Sequence, residues 1–147
     1  MKKHFYIAPF ILFLLAFLSC TKEETRISLP YAPVNFKIDV AADKIDFFGY
    51  ATFERPRLMG EFTGYSGLLV FRNQDGTLFA YDLCCPHEKD KDIKVKPNTI
   101  GEAVCPICGS VYEIWTGLGN VKSGAGTQPL QTYRVLPISE SVYRIQN

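Results

Sequence analysis

Cysteine and histidine are concentrated in two short stretches of this 147-residue sequence. One is Cys84-Cys85-Pro86-His87 and the other is Cys105-Pro106-Ile107-Cys108-Gly109, with 17 residues between His87 and Cys105. Thiolate and imidazole donors suit zinc and iron–sulfur sites and disfavour calcium and magnesium. Two such loops, each at a hairpin tip, can face each other and enclose one metal centre. The same residues allow other arrangements. Cys105-Pro106-Ile107-Cys108 has the form of a zinc knuckle, which Cys84 and His87 would complete as a Cys₃His zinc set. In an oxidising compartment the four cysteines could instead close two disulfides. Cys84 could also be a buried small residue that binds nothing.

The elements that must carry these loops read as β-strands. Residues 34–40 alternate apolar and polar without a break, which is the period of a half-buried strand. Residues 47–53 are aromatic-rich and form a second candidate. Residues 68–71 and 78–81 flank Asn73-Gln74-Asp75-Gly76, a hairpin signal. Residues 111–115 run into Thr116-Gly117, and 131–136 and 142–145 give two more strands at the tail. No segment holds helical periodicity, and no repeat or low-complexity tract is visible. The expectation is one small all-β domain over residues 34–147. Trp115 is expected in its core, as are most of Phe47, Phe48, Tyr50 and Phe53. Arg55 and Arg57 read as part of a solvated loop.

With these residues in view, the sequence resembles the Rieske iron–sulfur family. That family's pattern is Cys-x-His, then 15 to 17 residues, then Cys-x-x-His, as compared with Cys85-Pro86-His87 and Cys105-Pro106-Ile107-Cys108 here. In the family two cysteines hold one iron and two histidines hold the other. Cys108 stands at the position of the second histidine, which is a departure. Gly67 to Leu83 resembles the hairpin leading into the first loop. Gly109-Ser110-Val111-Tyr112 resembles the stretch after the second loop in cytochrome bc-type members, whose Ser and Tyr hydroxyls bond to cluster sulfurs. Residues 123–126, with Pro129, Leu130, Tyr133 and Val135, resemble the segment that covers the cluster. The resemblance implies a small β sandwich or barrel with two ligand-bearing loops at one end. It implies a 2Fe-2S cluster held by Cys85, His87, Cys105 and Cys108, with Ser110 and Tyr112 bonded to it. Cys85 and Cys105 would share one iron, and His87 and Cys108 the other.

The amino terminus carries a separate signal. Lys2 and Lys3 precede 14 apolar residues, Phe5 to Leu18, broken only by the hydroxyl of Tyr6. That length falls short of the ~20 residues of a membrane span and fits a secretory signal peptide. Leu18-Ser19-Cys20 resembles the lipobox of bacterial lipoproteins, in which the cysteine is lipidated and becomes the new terminus. Lys22-Glu23-Glu24 resembles a surface-export tag, although a solvated tether would look the same. The expected organisation is a signal peptide over 1–19, a lipid-anchored tether over 20–33, and the domain beyond. The location implied is the bacterial cell envelope, periplasmic or surface-exposed. Removing 1–19 also removes His4, so His87 becomes the only histidine of the mature chain.

Charge and composition narrow the function. The net charge is +1 and no basic patch is visible, which argues against a nucleic-acid partner. No base or nucleophile constellation suggests a small-molecule substrate. Two ferric ions, two sulfides and three thiolates sum to one negative charge, which should lower the potential below that of a two-histidine centre. The leading expectation is a membrane-anchored electron-transfer protein, acting as a carrier or a small oxidoreductase subunit with a redox protein partner. The alternative is a cluster-free or zinc-binding envelope lipoprotein that acts as a protein-binding module.

Overall fold

A computed structural model describes residues 29–147. The expected signal peptide, the Cys20 lipidation site and the tether up to residue 28 lie outside the described residues. Within the described residues the chain is all-β, and no helix is long and apolar enough to cross a membrane.

Eleven strands follow in order: β1 Val34–Asp39, β2 Gly49–Phe53, β3 Phe62–Thr63, β4 Leu68–Arg72, β5 Leu78–Asp82, β6 Lys96–Pro97, β7 Glu102–Val104, β8 Val111–Glu113, β9 Val121–Ser123, β10 Thr132–Pro137 and β11 Val142–Gln146. The seven strands read from sequence are present, with their ends shifted by a residue or two. The strands β3, β6, β7 and β9 are additional, and each is only two or three residues long. A pattern of period two cannot be recognised over so few positions.

Seven strands make one antiparallel sheet in the order β2-β4-β5-β10-β11-β1-β3. The other four make a second sheet in the order β6-β7-β8-β9. The large sheet curls until its ends approach. Phe36 of β1 and Phe53 of β2 meet with ring centroids 4.9 Å apart. The Arg57 guanidinium stands over both rings, at 4.7 and 4.9 Å, and pairs with Asp43. Arg57 lies in an exposed loop, as expected, and from there its guanidinium joins the two ends of the sheet. The carboxylate pairs with the head while the two ring faces lie against it, a cation–π arrangement.

Two cores result, and β4 faces both. Leu68 and Val70 point into the curled sheet with Phe36, Ile38, Leu78, Ala80 and Ile145. Leu69 and Phe71 point the other way, onto Tyr81, Leu83, Tyr112, Ile114 and Leu130 of the inter-sheet core. A strand buried on both faces reads as an unbroken apolar run, as Leu68-Leu69-Val70-Phe71 does. Each side chain fully buried in this way contributes about 1.5–3 kcal/mol. Trp115 is a second correction, since it is 44% exposed. The alternation of β8 explains it, because Tyr112 and Ile114 take the inward positions and leave Trp115 facing out. Phe47 and Tyr50 are exposed too, whereas Phe48 and Phe53 pack on the cores.

Candidate metal centre

The two ligand loops lie on different parts of this frame. The first leaves β5 and spans residues 83–95. Its arms pair through Val95 N–H to Leu83 O at 2.8 Å and Cys85 N–H to Ile93 O at 3.1 Å. The second is the six-residue tip of the β7–β8 hairpin, where Val104 faces Val111. Cys105 N–H bonds to Ser110 O at 2.9 Å and Gly109 N–H to Cys105 O at 3.1 Å, which closes the tip into a tight turn.

These loops bring three thiols to one point. The Sγ atoms of Cys85, Cys105 and Cys108 all lie within 4.8 Å of one another. Cys85 and Cys108 are 3.7 Å apart. Two sulfurs on one tetrahedral metal at about 2.3 Å stand about 3.8 Å apart, so the spacing suits two ligands of one metal, whereas the resemblance implies Cys85 and Cys108 on different irons. It is far longer than the ~2.05 Å of a disulfide, and all four cysteines of the described residues are free.

The hydroxyls of Ser110 and Tyr112 lie against two of these thiols. Ser110 Oγ lies 3.0 Å from Cys108 Sγ, and Tyr112 OH lies 3.4 Å from Cys85 Sγ. Both residues are fully buried. The covering segment closes over them. Gly126 N–H donates to Ser110 Oγ at 2.7 Å. At Gly124, φ is +96° and a Cβ would stand 2.5 Å from Ser110 Cα, so only glycine fits there.

The thiols differ in acidity. Burial pushes Cys105 up to about 11. Burial also opposes ionisation of Cys108, but the Ser110 hydroxyl and N–H, with the thiols of Cys105 and Cys85, outweigh it and hold Cys108 below the ordinary thiol value. Burial, with Cys85 alongside, keeps the Tyr112 hydroxyl well above the usual tyrosine value, so it remains a donor.

His87 and Cys84 sit apart from the three thiols. His87 is exposed and shares a surface hollow with Pro86, Lys89, Thr127 and Gln128. Gln128 was not singled out in the sequence, yet its Oε1 is buried without a donor. Ring N–H groups of metal-bound histidines usually meet an acceptor of this kind. Cys84 turns away, with its Sγ against Asp90 O at 3.3 Å. Adjacent residues in extended chain point to opposite sides, so Cys84 and Cys85 cannot both face the centre. The zinc set built on Cys84 is therefore not assembled. Cys84 is fully buried, and burial raises its thiol to about 11.

The donor chemistry fits a sulfur-ligated metal group: three converging thiols, two hydroxyl donors and an imidazole on the same loop as Cys85. Comparisons with known proteins agree with the fold. The family model for the Rieske [2Fe-2S] domain matches residues 40–134. A chain from the complex of reduced oxygenase and oxidized ferredoxin in carbazole 1,9a-dioxygenase is similar, with a TM-score of 0.50, 16% identity and coverage of 77% of this chain and 93% of that one. That likeness shows the fold. The Sphingomonas yanoikuyae B1 ferredoxin is similar over 67% of this chain and 84% of its own, at 21% identity and a TM-score of 0.44. No curated protein matches the sequence.

Proposed function

The chain belongs to the Rieske [2Fe-2S] family, and on that premise we propose that it carries single electrons through a centre held by Cys85, His87, Cys105 and Cys108. The observation that carries this reading is the convergence of three thiols beneath two buried hydroxyls. When bound, a two-iron, two-sulfide group accepts and returns one electron.

The chain's own residues would do the rest. Cys85 and Cys105, both buried, shield the centre from water on its inner side. Ser110 and Tyr112 donate hydrogen bonds to sulfur, which spreads negative charge and favours the electron-rich state. Pro106 and Ile107, exposed beside the ligands, would touch a redox protein partner. His87 completes the set from the first loop. The mature chain would begin at a lipidated Cys20, with a tether to residue 33 holding the 34–147 domain at an envelope membrane. It would serve as a carrier or as a small redox subunit of an oxidoreductase.

A second reading rests on the same three thiols, because a single zinc ion also takes sulfurs at this spacing. Metal and acid-labile sulfide analysis of anaerobically purified protein separates the two. About two irons and two sulfides per chain are expected. One zinc without sulfide would overturn the electron-carrier reading. For the anchor, Cys20→Ser should move the protein out of the membrane fraction, and unchanged membrane association would contradict lipidation.

A further inference from the structure

Asp82, the last residue of β5, is a carboxylate with no exposed surface. Among the described residues no cation pairs with it. It is surrounded instead by donors. Its Oδ2 accepts from Tyr65 N–H at 2.7 Å and from the Tyr133 hydroxyl at 2.7 Å. Its Oδ1 accepts from Ser66 N–H at 3.1 Å and from Cys84 N–H at 2.8 Å. The turn 64–67 thus forms a backbone cradle of successive N–H groups, a shape that binds anions. Gly64 makes the cradle possible. Its φ is +80°, and a Cβ there would lie 2.7 Å from Asp82 Oδ2 and 2.6 Å from the Tyr133 hydroxyl.

The cradle grips both arms of the first ligand loop. The outgoing arm is held through Asp82 to Cys84 N–H, one residue before Cys85. The returning arm is held by Ser66 Oγ, which donates to Lys91 O at 2.8 Å. A buried carboxylate without a counter-ion is costly unless its lone pairs are filled. Here every one of those partners is a donor. Burial, followed by the charge of Asp82, keeps the Tyr133 hydroxyl protonated and therefore donating.

We propose that Asp82 is a positioning residue of the metal centre, which locks the first ligand loop and holds a fixed negative charge beneath it. This rests on the electron-carrier reading. A fixed anion at the base of the loop that carries Cys85 disfavours adding an electron to the centre, so the midpoint potential is held down. The proposal needs both parts, the lock and the charge.

The test uses the full chain. Asp82→Asn keeps the shape and removes the charge. Tyr133→Phe removes one donor and keeps the charge. In folded protein with wild-type metal content, Asp82→Asn should raise the midpoint potential, and Tyr133→Phe should not. An unchanged potential in Asp82→Asn, or an equal rise in Tyr133→Phe, overturns the proposal. Should the wild type hold no iron, the electron-carrier reading is what fails. The lock is then judged on metal-free, reduced protein by alkylation of Cys84 and Cys85. Ser66→Ala, which also serves if Asp82→Asn does not fold, should speed that labelling about tenfold, the effect of one lost buried hydrogen bond. Labelling at the wild-type rate overturns the lock.

Discussion

Ser110 aims its hydroxyl at Cys108. The oxygen lies 3.0 Å from Sγ while it accepts the Gly126 N–H at 2.7 Å. A thiolate can only accept, so once Cys108 is ionised or metal-bound the single hydroxyl proton of Ser110 points to the sulfur. Ser110→Ala should therefore lower the midpoint potential of the loaded protein. In metal-free protein it should also move the Cys108 thiol upward toward its ordinary value, read from the pH dependence of alkylation. If neither quantity moves, the bond has no influence on the sulfur.

The two adjacent cysteines should behave in opposite ways. Cys85→Ala removes one of the three converging sulfurs and should abolish metal binding. Cys84→Ala should leave metal content intact and cost about 1 kcal/mol through the small cavity left. Iron analysis with thermal melting checks both. Loss of metal in Cys84→Ala would contradict the geometry described above.

Cys108 occupies the place of a histidine in the family pattern. Cys108→His exchanges a thiolate for a neutral imidazole and removes one negative charge from the centre. The midpoint potential should rise. An unchanged or lower potential in fully loaded protein would show that ligand charge does not control it.

Alkaline pH should weaken the metal-free chain. Burial raises Cys84 and Cys105 from the ordinary thiol value of 9.0 to about 11. The folded state then binds more protons than the unfolded state between those values, so the slope of stability against pH is negative there. The contribution is complete below about 9 and is lost as pH rises through about 11. Chemical denaturation midpoints measured across this range should fall, and the Cys84→Ala variant should show a shallower decline.

Arg57 should matter for stability without touching the metal. Its guanidinium pairs with Asp43 and stacks on Phe36 and Phe53 where the large sheet curls on itself. Arg57→Ala should cost about 1–3 kcal/mol. Arg57→Lys should recover only part of this, since an ammonium lacks the flat face. Denaturation curves at equal metal content decide the matter.

Much of this was legible in the residues. Alternation marked β1, and the Asp75-Gly76 turn marked the β4–β5 hairpin. The two Cys-Pro loops marked the centre, and Gly-Ser-Val-Tyr marked its hydroxyls. What was not legible depends on distant contacts. Trp115 looked like core because it is apolar, but its position in the alternation of β8 faces outward. Arg57 is solvated as expected, but its contacts were not legible because the aromatic rings beneath it come from β1 and β2. Asp82 gave a faint signal, a lone acid between Tyr81 and Leu83 in an apolar strand, but all its donors except Cys84 N–H come from the 64–67 turn and from β10. The choice between Cys84 and Cys85 could not be made from spacing alone, because both fit a metal-ligand pattern until the strand direction is known.

The place where β5 meets β10 has a further consequence. Asp82 N–H bonds to Gln131 O at 2.9 Å, so the chain departs toward both ligand loops and returns at neighbouring points. Everything between, including the whole four-stranded sheet, is a cassette set into the curled seven-stranded host. Host and cassette share a seam of apolar side chains but no strand pairing beyond its base. Such an architecture lets ligand identity, loop length and docking surface diversify within the cassette while the host stays the same.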